Sequence, residues 1–149
     1  MLIKQLSVFV ENMKGRLVGI TEVLLKEGIN IASFSLADSS EYGILRMIVS
    51  DPEKARNVLK DQGLSARLTE VIAVKIKQEP GTLSNLLKMF SEEGFSVEYM
   101  YTLSTTGNNT SIIMKLADPK SGLEALSKHG YELCTDVEAY EINNYRSNL

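Results

Sequence analysis

The chain has 149 residues, 44% of them hydrophobic and 23% charged, and a net charge of −3. That length allows one ordinary domain or two very small ones, with the composition of a soluble globular protein. No apolar run approaches the ~20 residues of a membrane helix, no basic run advertises a nucleic-acid partner, and a single cysteine, Cys134, beside a single histidine, His129, excludes an internal disulfide and a structural zinc site.

Met1-Leu2-Ile3-Lys4-Gln5 opens directly on an alternating pattern with no secretory signal, so a cytoplasmic protein is expected. Leu6, Val8 and Val10 alternate at period two and predict a half-buried strand over Ile3–Val10. Leu17, Ile20, Thr21 and Leu24 recur at helical spacing, so a helix follows Gly15 and stops at Gly28. A second strand is predicted over Ile31–Ala37, a turn near Ser39–Gly43, and a third strand over Ile44–Ser50, where Leu45, Met47 and Val49 alternate. Asp51-Pro52 opens a second helix, with Asp as N-cap and Pro in the first helical position. Gly63 ends it, and a fourth strand is predicted near Leu64–Thr69.

The same order then repeats. At an offset of 66, Gly15 falls on Gly81, Leu17 on Leu83 and Glu27-Gly28 on Glu93-Gly94. At an offset of 67, Asp51-Pro52 falls on Asp118-Pro119, Leu59 on Leu126 and Gly63 on Gly130. The extra residue belongs to the turn Thr106-Gly107-Asn108-Asn109. The second copy predicts strands over Val71–Lys77, Val97–Ser104, Thr110–Leu116 and Tyr131–Ile142, and helices over Gly81–Glu93 and Pro119–Lys128. Two βαββαβ copies read as an α+β chain of tandem ferredoxin-like domains, each an antiparallel sheet with both helices on one face. Residues 1–69 form the first domain, 70–142 the second, and 143–149 a polar tail. Copies of this size bury little core alone. With no linker between them, they are expected to pack on each other edge to edge.

The segment between first strand and first helix is the most informative. It reads Glu11-Asn12-Met13-Lys14-Gly15-Arg16-Leu17 in one copy and Gln78-Glu79-Pro80-Gly81-Thr82-Leu83 in the other. A helix start offers unpaired N–H groups and a positive dipole end, which suit a carboxylate. The Asn12 amide both donates and accepts. The same residues also serve an ordinary turn. Asn30, and Ser96 in the second copy, stand where the chain enters the second strand.

Over nearly its whole length the chain resembles two ACT domains, amino-acid-binding regulatory modules. The resemblance rests on the polar turns ending at Gly15 and Gly81, the segments Gly28-Ile29-Asn30-Ile31 and Gly94-Phe95-Ser96-Val97, and the element order. Copy one is most similar to the serine-sensing domain of phosphoglycerate dehydrogenase, whose two ligand-contacting asparagines fall on Asn12 and Asn30. That domain's histidine falls on Val10, so the identity of the ligand does not carry over. Copy two has Gln78 and Ser96 in place of the asparagines. The resemblance implies that the second-strand edges of the two copies pair side by side into one eight-stranded sheet, with a free amino acid held at the seam, by Asn12 with the Ser96–Met100 region and by Gln78 with Asn30. It implies no cofactor, no metal and no catalysis. Any output then passes through a partner metabolic enzyme or a second copy of the chain. The alternative is a ligand-free interaction subunit.

Other chemistries fit less well. An RNA-binding sheet needs aromatics on its central strands, and Phe9 stands alone there. An acylphosphatase-type hydrolase needs an anchoring loop arginine. Arg16 has none to match it near Gly81. His129 and Cys134 lack a third orienting group for nucleophilic catalysis.

Overall fold

The computed structural model describes residues 1–39 and 41–141. The predicted polar tail, 143–149, lies outside the described residues. Two compact units emerge, one built on Lys4–Thr69 and the other on Glu70–Ala139 with Met1–Ile3.

In the first unit the elements are β1 (Ile3–Glu11), α1 (Arg16–Lys26), β2 (Ile31–Asp38), β3 (Tyr42–Val49), α2 (Pro52–Asp61) and the start of β4 (Ser65–Lys77). The strand order is β2-β3-β1-β4, and both β1 and β2 run antiparallel to β3. Leu6, Val8 and Val10 of β1 and Leu45, Met47 and Val49 of β3 share a face. They meet Ile20 and Leu24 of α1 and Ala55 and Leu59 of α2 in one core. The period-two and helical patterns therefore converge on the same side, which puts both helices on one face of the sheet. The Asp51 cap forms as predicted, with the Lys54 N–H donating to Asp51 Oδ1 at 3.1 Å.

The second unit repeats the plan with the rest of β4, α3 (Thr82–Glu92), β5 (Val97–Thr106), β6 (Asn109–Leu116), α4 (Pro119–Lys128), β7 (Glu132–Leu133) and α5 (Asp136–Glu141). Its strands run in the order β5-β6-β4-β7. Ile72, Val74, Ile112, Met114 and Leu116 pack against Leu86, Met89 and Phe90 of α3 and Ala125 and Leu126 of α4. Phe95 meets the Phe90 ring edge-on, with centroids 6.0 Å apart.

Two expectations need correcting. The eight expected strands become seven among the described residues, because Leu64–Thr69 and Val71–Lys77 form one uninterrupted strand, β4. No glycine or proline interrupts Ser65–Lys77, so nothing forces a break there. The predicted strand Tyr131–Ile142 is also wrong. Its strand portion is only Glu132–Leu133, paired with Lys75 and Val74, and α5 follows. The reason is a reciprocal capping box: the Glu138 N–H donates to Thr135 Oγ1 at 3.1 Å, and the Thr135 N–H donates to Glu138 Oε2 at 2.8 Å. Glu138 also accepts from Lys75 Nζ at 3.1 Å. Lys75 lies between the core residues Val74 and Ile76, so its side chain leaves β4 away from α3 and α4. The short helix α5 thus sits against the face of this sheet that the long helices leave bare.

Candidate functional site

Each copy turns from its first strand into its first helix through a glycine. Gly15 has φ 84° and Gly81 φ 90°, the left-handed region, where a Cβ would be strained and glycine is at ease. Neither α1 nor α3 has a side-chain cap on its N-terminal N–H groups; the Arg16 N–H donates to Met13 O and the Thr82 N–H to Glu79 O, both at 3.3 Å, and the N–H groups that follow in the first turn have no side-chain cap. The loops are held by the neighbouring hairpin in the same way. The Asn12 N–H donates to Glu41 O at 3.2 Å, and the Gln78 N–H donates to Asn108 O at 2.7 Å.

A cleft is lined in part by the first residue of each of these helices, Arg16 in one copy and Thr82 in the other. In the first unit it measures 290 Å³ and is lined by Phe9, Val10, Glu11, Arg16, Ile20, Tyr42, Gly63, Leu64 and Ser65. In the second it measures 330 Å³ and is lined by Lys75, Ile76, Lys77, Thr82, Asn85, Asn109, Gly130, Tyr131 and Glu132. The two are the same place in the repeat. At the offsets of 66 and 67, Glu11 answers to Lys77, Arg16 to Thr82, Tyr42 to Asn109, Leu64 to Tyr131 and Ser65 to Glu132. Both volumes sit at the lower end of the ~300–1,000 Å³ typical of small-molecule sites. They have room for a molecule of amino-acid size.

The chemistry of the two differs. In the first cleft Arg16 Nη2 reaches Glu11 Oε2 at 3.3 Å, with both side chains about half exposed, so a ligand's carboxylate would compete with Glu11 for one guanidinium. In the second, the single Thr82 hydroxyl proton is shared between two carbonyls, Lys77 O at 2.6 Å and Glu79 O at 3.0 Å from Oγ1, fixing the entry to α3. Lys75 is held by Glu132 and Glu138, each at 3.1 Å. Burial works against its charge, but the hydrogen bonds to the two carboxylates outweigh it and raise its pKa above the ordinary lysine value. Lys77 makes no ion pair among the described residues, so it is the cation available to an anion in that cleft.

Of the residues singled out in the sequence, the clefts gather only Arg16 and Thr82. Asn12, Met13 and Lys14 are exposed on the loop rim, with the Met13 sulfur 3.9 Å from Arg16 Nη2. Leu17 and Leu83 are part-exposed on the first turns of their helices. Glu79 accepts from Asn108 Nδ2 at 3.2 Å, and exposed Gln78 and Pro80 complete that loop. Asn30 closes the turn before β2: its N–H donates to Ser50 Oγ and its carbonyl accepts from the Ser50 N–H, both at 2.9 Å. Ser96 is exposed just before β5. Sequence reasoning missed Tyr42, Ser65, Asn85, Asn109 and Tyr131. Carrying the repeat register past the glycines to the third strand and to the turn after the second helix would have found all but Asn85.

Residues 1–142 match the family described as ACT domain pair. The chain belongs to that family. Among solved structures, protein BT0572 from Bacteroides thetaiotaomicron is 37% identical, with a TM-score of 0.90, over 95% of this chain and 97% of that one. The regulatory subunit of aspartate kinase from Thermus thermophilus, in a ligand-free form, is 16% identical with a TM-score of 0.64, over 87% of this chain and 94% of that one. A putative C-terminal regulatory domain of aspartate kinase from Porphyromonas gingivalis is 14% identical with a TM-score of 0.51, over 86% and 93%. At these lower identities the likeness is one of fold. No curated protein matches the chain.

Among the described residues no cluster of three or more His, Cys, Asp and Glu is placed to hold a metal. No helix there is long and apolar enough to cross a membrane. Cys134 is buried, and that burial, with the Glu138 carboxylate beside it, pushes its thiol up to about 11. It is therefore a poor nucleophile at neutral pH.

Proposed function

We propose that this ACT domain pair is a cytoplasmic regulatory module that senses a free amino acid and passes the signal to a metabolic enzyme. The ligand binds at the glycine loops, contacting Asn12–Leu17 in the first copy and Gln78–Leu83 in the second; Asn30 and Ser96 stand at the opposite end of their own copy's sheet from these loops and take no part in that copy's cleft. One observation carries this reading: a cleft of amino-acid size recurs at the same place in both copies, beside a helix start with uncapped N–H groups. Uncapped donors at a helix start favour a carboxylate. The polar rim, Asn12 with Glu11 in one copy and Gln78 with Glu79 in the other, suits an α-ammonium. Because Arg16 and Lys77 stand at different places in their clefts, the two sites are expected to differ in affinity.

The test is a thermal-unfolding screen of the full chain against each of the twenty common amino acids, followed by calorimetry on any that stabilise it. Ligand at 100 times its dissociation constant adds about 2.7 kcal/mol to stability, which moves the melting midpoint clearly. Asn12→Ala is expected to weaken binding by about 1–2 kcal/mol, the scale of a lost hydrogen bond to a charged group. If none of the twenty shifts the midpoint, sensing is wrong and the chain acts as a ligand-free interaction subunit. If a ligand binds and Asn12→Ala and Gln78→Ala leave its affinity unchanged, the loops are the wrong site.

A further inference from the structure

The first cleft sets two opposite charges side by side. Arg16 Nη2 lies 3.3 Å from Glu11 Oε2, and both residues line the cleft. A ligand with a carboxylate alone would take Arg16 from Glu11 and leave the Glu11 carboxylate beside its own. A ligand that also carries an ammonium removes that conflict. Its carboxylate takes Arg16, its ammonium takes Glu11, and the four charges alternate. The pair is about half exposed, and an exposed pair costs little to part. The cleft is thus matched to a zwitterion rather than to a simple anion.

Two aromatic rings stand next to this pair. Glu11 pairs with Tyr42 across β1 and β3, and Phe9 lies two residues back along β1, so Phe9, Glu11 and Tyr42 project from the same side of the sheet. Both rings line the cleft, yet Phe9 is 42% and Tyr42 54% exposed. Arg67 lies over the Phe9 ring, 5.8 Å from its centroid, and steadies it. Two rings left half in water beside the charged pair offer apolar and edge contacts to a third. The fold does not require them. In the second copy the positions of Phe9, Glu11, Arg16 and Tyr42 are Lys75, Lys77, Thr82 and Asn109, so neither ring and neither member of the charged pair is kept there. That cleft has one ring of its own, Tyr131 at the position of Leu64, and its carboxylate, Glu132, is held by Lys75 at 3.1 Å.

We propose that the first cleft selects an aromatic α-amino acid, with Arg16 on its carboxylate, Glu11 on its ammonium and its ring against Phe9 and Tyr42, and that the second cleft does not take this ligand. The proposal rests on the amino-acid-sensing reading and names the ligand class for one of the two clefts.

Calorimetry on the full chain tests it with three probes: L-phenylalanine, L-alanine and phenylpropanoate, which is phenylalanine without its ammonium. Phenylalanine is expected to bind at one site per chain. Alanine, lacking the ring, and phenylpropanoate, lacking the ammonium, should each bind at least about tenfold more weakly. Glu11→Gln should close the second gap from both sides: phenylalanine weakens by at least about tenfold, while phenylpropanoate gains because Arg16 loses its competitor. Arg16→Gln should weaken both by at least about tenfold. Tyr42→Asn, which installs the second copy's residue, should narrow the preference for phenylalanine over alanine by at least about threefold. Circular dichroism checks that each variant folds. Equal affinity for phenylalanine and phenylpropanoate, or a Glu11→Gln protein that binds phenylalanine as tightly as the unmodified chain, would overturn the proposal. Binding of a different amino acid with phenylalanine inert would overturn it and leave sensing intact, whereas silence from all twenty would sink both.

Discussion

Adding one methyl group at Gly122 and one at Gly19 should have opposite effects on stability. Both glycines lie inside helices, Gly122 in α4 and Gly19 in α1. Replacing either with alanine gains about 0.8–1.0 kcal/mol of helix propensity. At Gly19 a Cβ meets nothing within 4 Å, so the gain stands. At Gly122 a Cβ would overlap Leu116 Cδ1 and lie 3.0 Å from Ile72 Cδ1. Leu116 cannot swing away, because it and Ile72 are both fully buried in the same core. Overpacking of this kind costs about 1–3 kcal/mol. The propensity gain cancels between the two variants, so the overpacking alone separates them, by about 2 kcal/mol. For a chain of this size each kcal/mol moves the melting midpoint by about 2–4 °C, so the variants should melt roughly 4–8 °C apart. Urea titration followed by circular dichroism gives the same comparison as a free energy. A Gly122→Ala protein at least as stable as the unmodified chain would refute the reasoning, since the packing of α4 on β6 and β4 would then have slack that these distances deny.

Three further outcomes follow from the caps and the buried thiol. Asp51→Ala should cost about 1 kcal/mol by removing the N-cap of α2, and Asp51→Asn should recover most of it in the same titration. Glu138 is held below the usual carboxylate range by the Thr135 N–H and then by Lys75. Its contribution to α5 is thus full above the ordinary glutamate pKa of ~4.3 and is lost as pH falls through the lower folded value. Hydrogen exchange at the Ala139 amide, corrected for intrinsic rate, should hold steady from neutral pH down to that region and then accelerate. Glu138→Gln should flatten the profile, and a flat profile in the unmodified protein would count against the capping box. Cys134 should resist a thiol reagent at pH 7 and react only on unfolding, because so little thiolate forms; rapid labelling of the folded protein would contradict its burial.

The elements legible in the sequence were those whose signals are local. Leu6-Val8-Val10, Leu45-Met47-Val49 and the Asp-Pro helix starts each carry their own period or cap, and their repetition 66–67 residues on fixed the fold class. The errors came where a stronger signal was overlooked or none existed. Thr135-x-x-Glu138 is a capping box that outweighs the β-rich look of Tyr131–Ile142. The merging of two strands into β4 depended on the absence of a breaker, which is harder to read than its presence. At the loops, Gly15 and Gly81 were readable because only glycine suits their backbone. Tyr42, Asn109 and Tyr131 reach the clefts through strand pairing and helix-to-strand turns far away in sequence, so loop spacing gave no hint of them.

Within the second unit β4 does two jobs at once. Ile72, Val74 and Ile76 serve the core, while Lys75 between them holds Glu132 and Glu138 on the other face, because side chains along a strand alternate sides. Inserting a single residue between Ala73 and Val74 would therefore exchange the faces, turning Val74 and Ile76 outward and Lys75 into the core, while inserting two would restore them. A length change inside this stretch is tolerable only in steps of two.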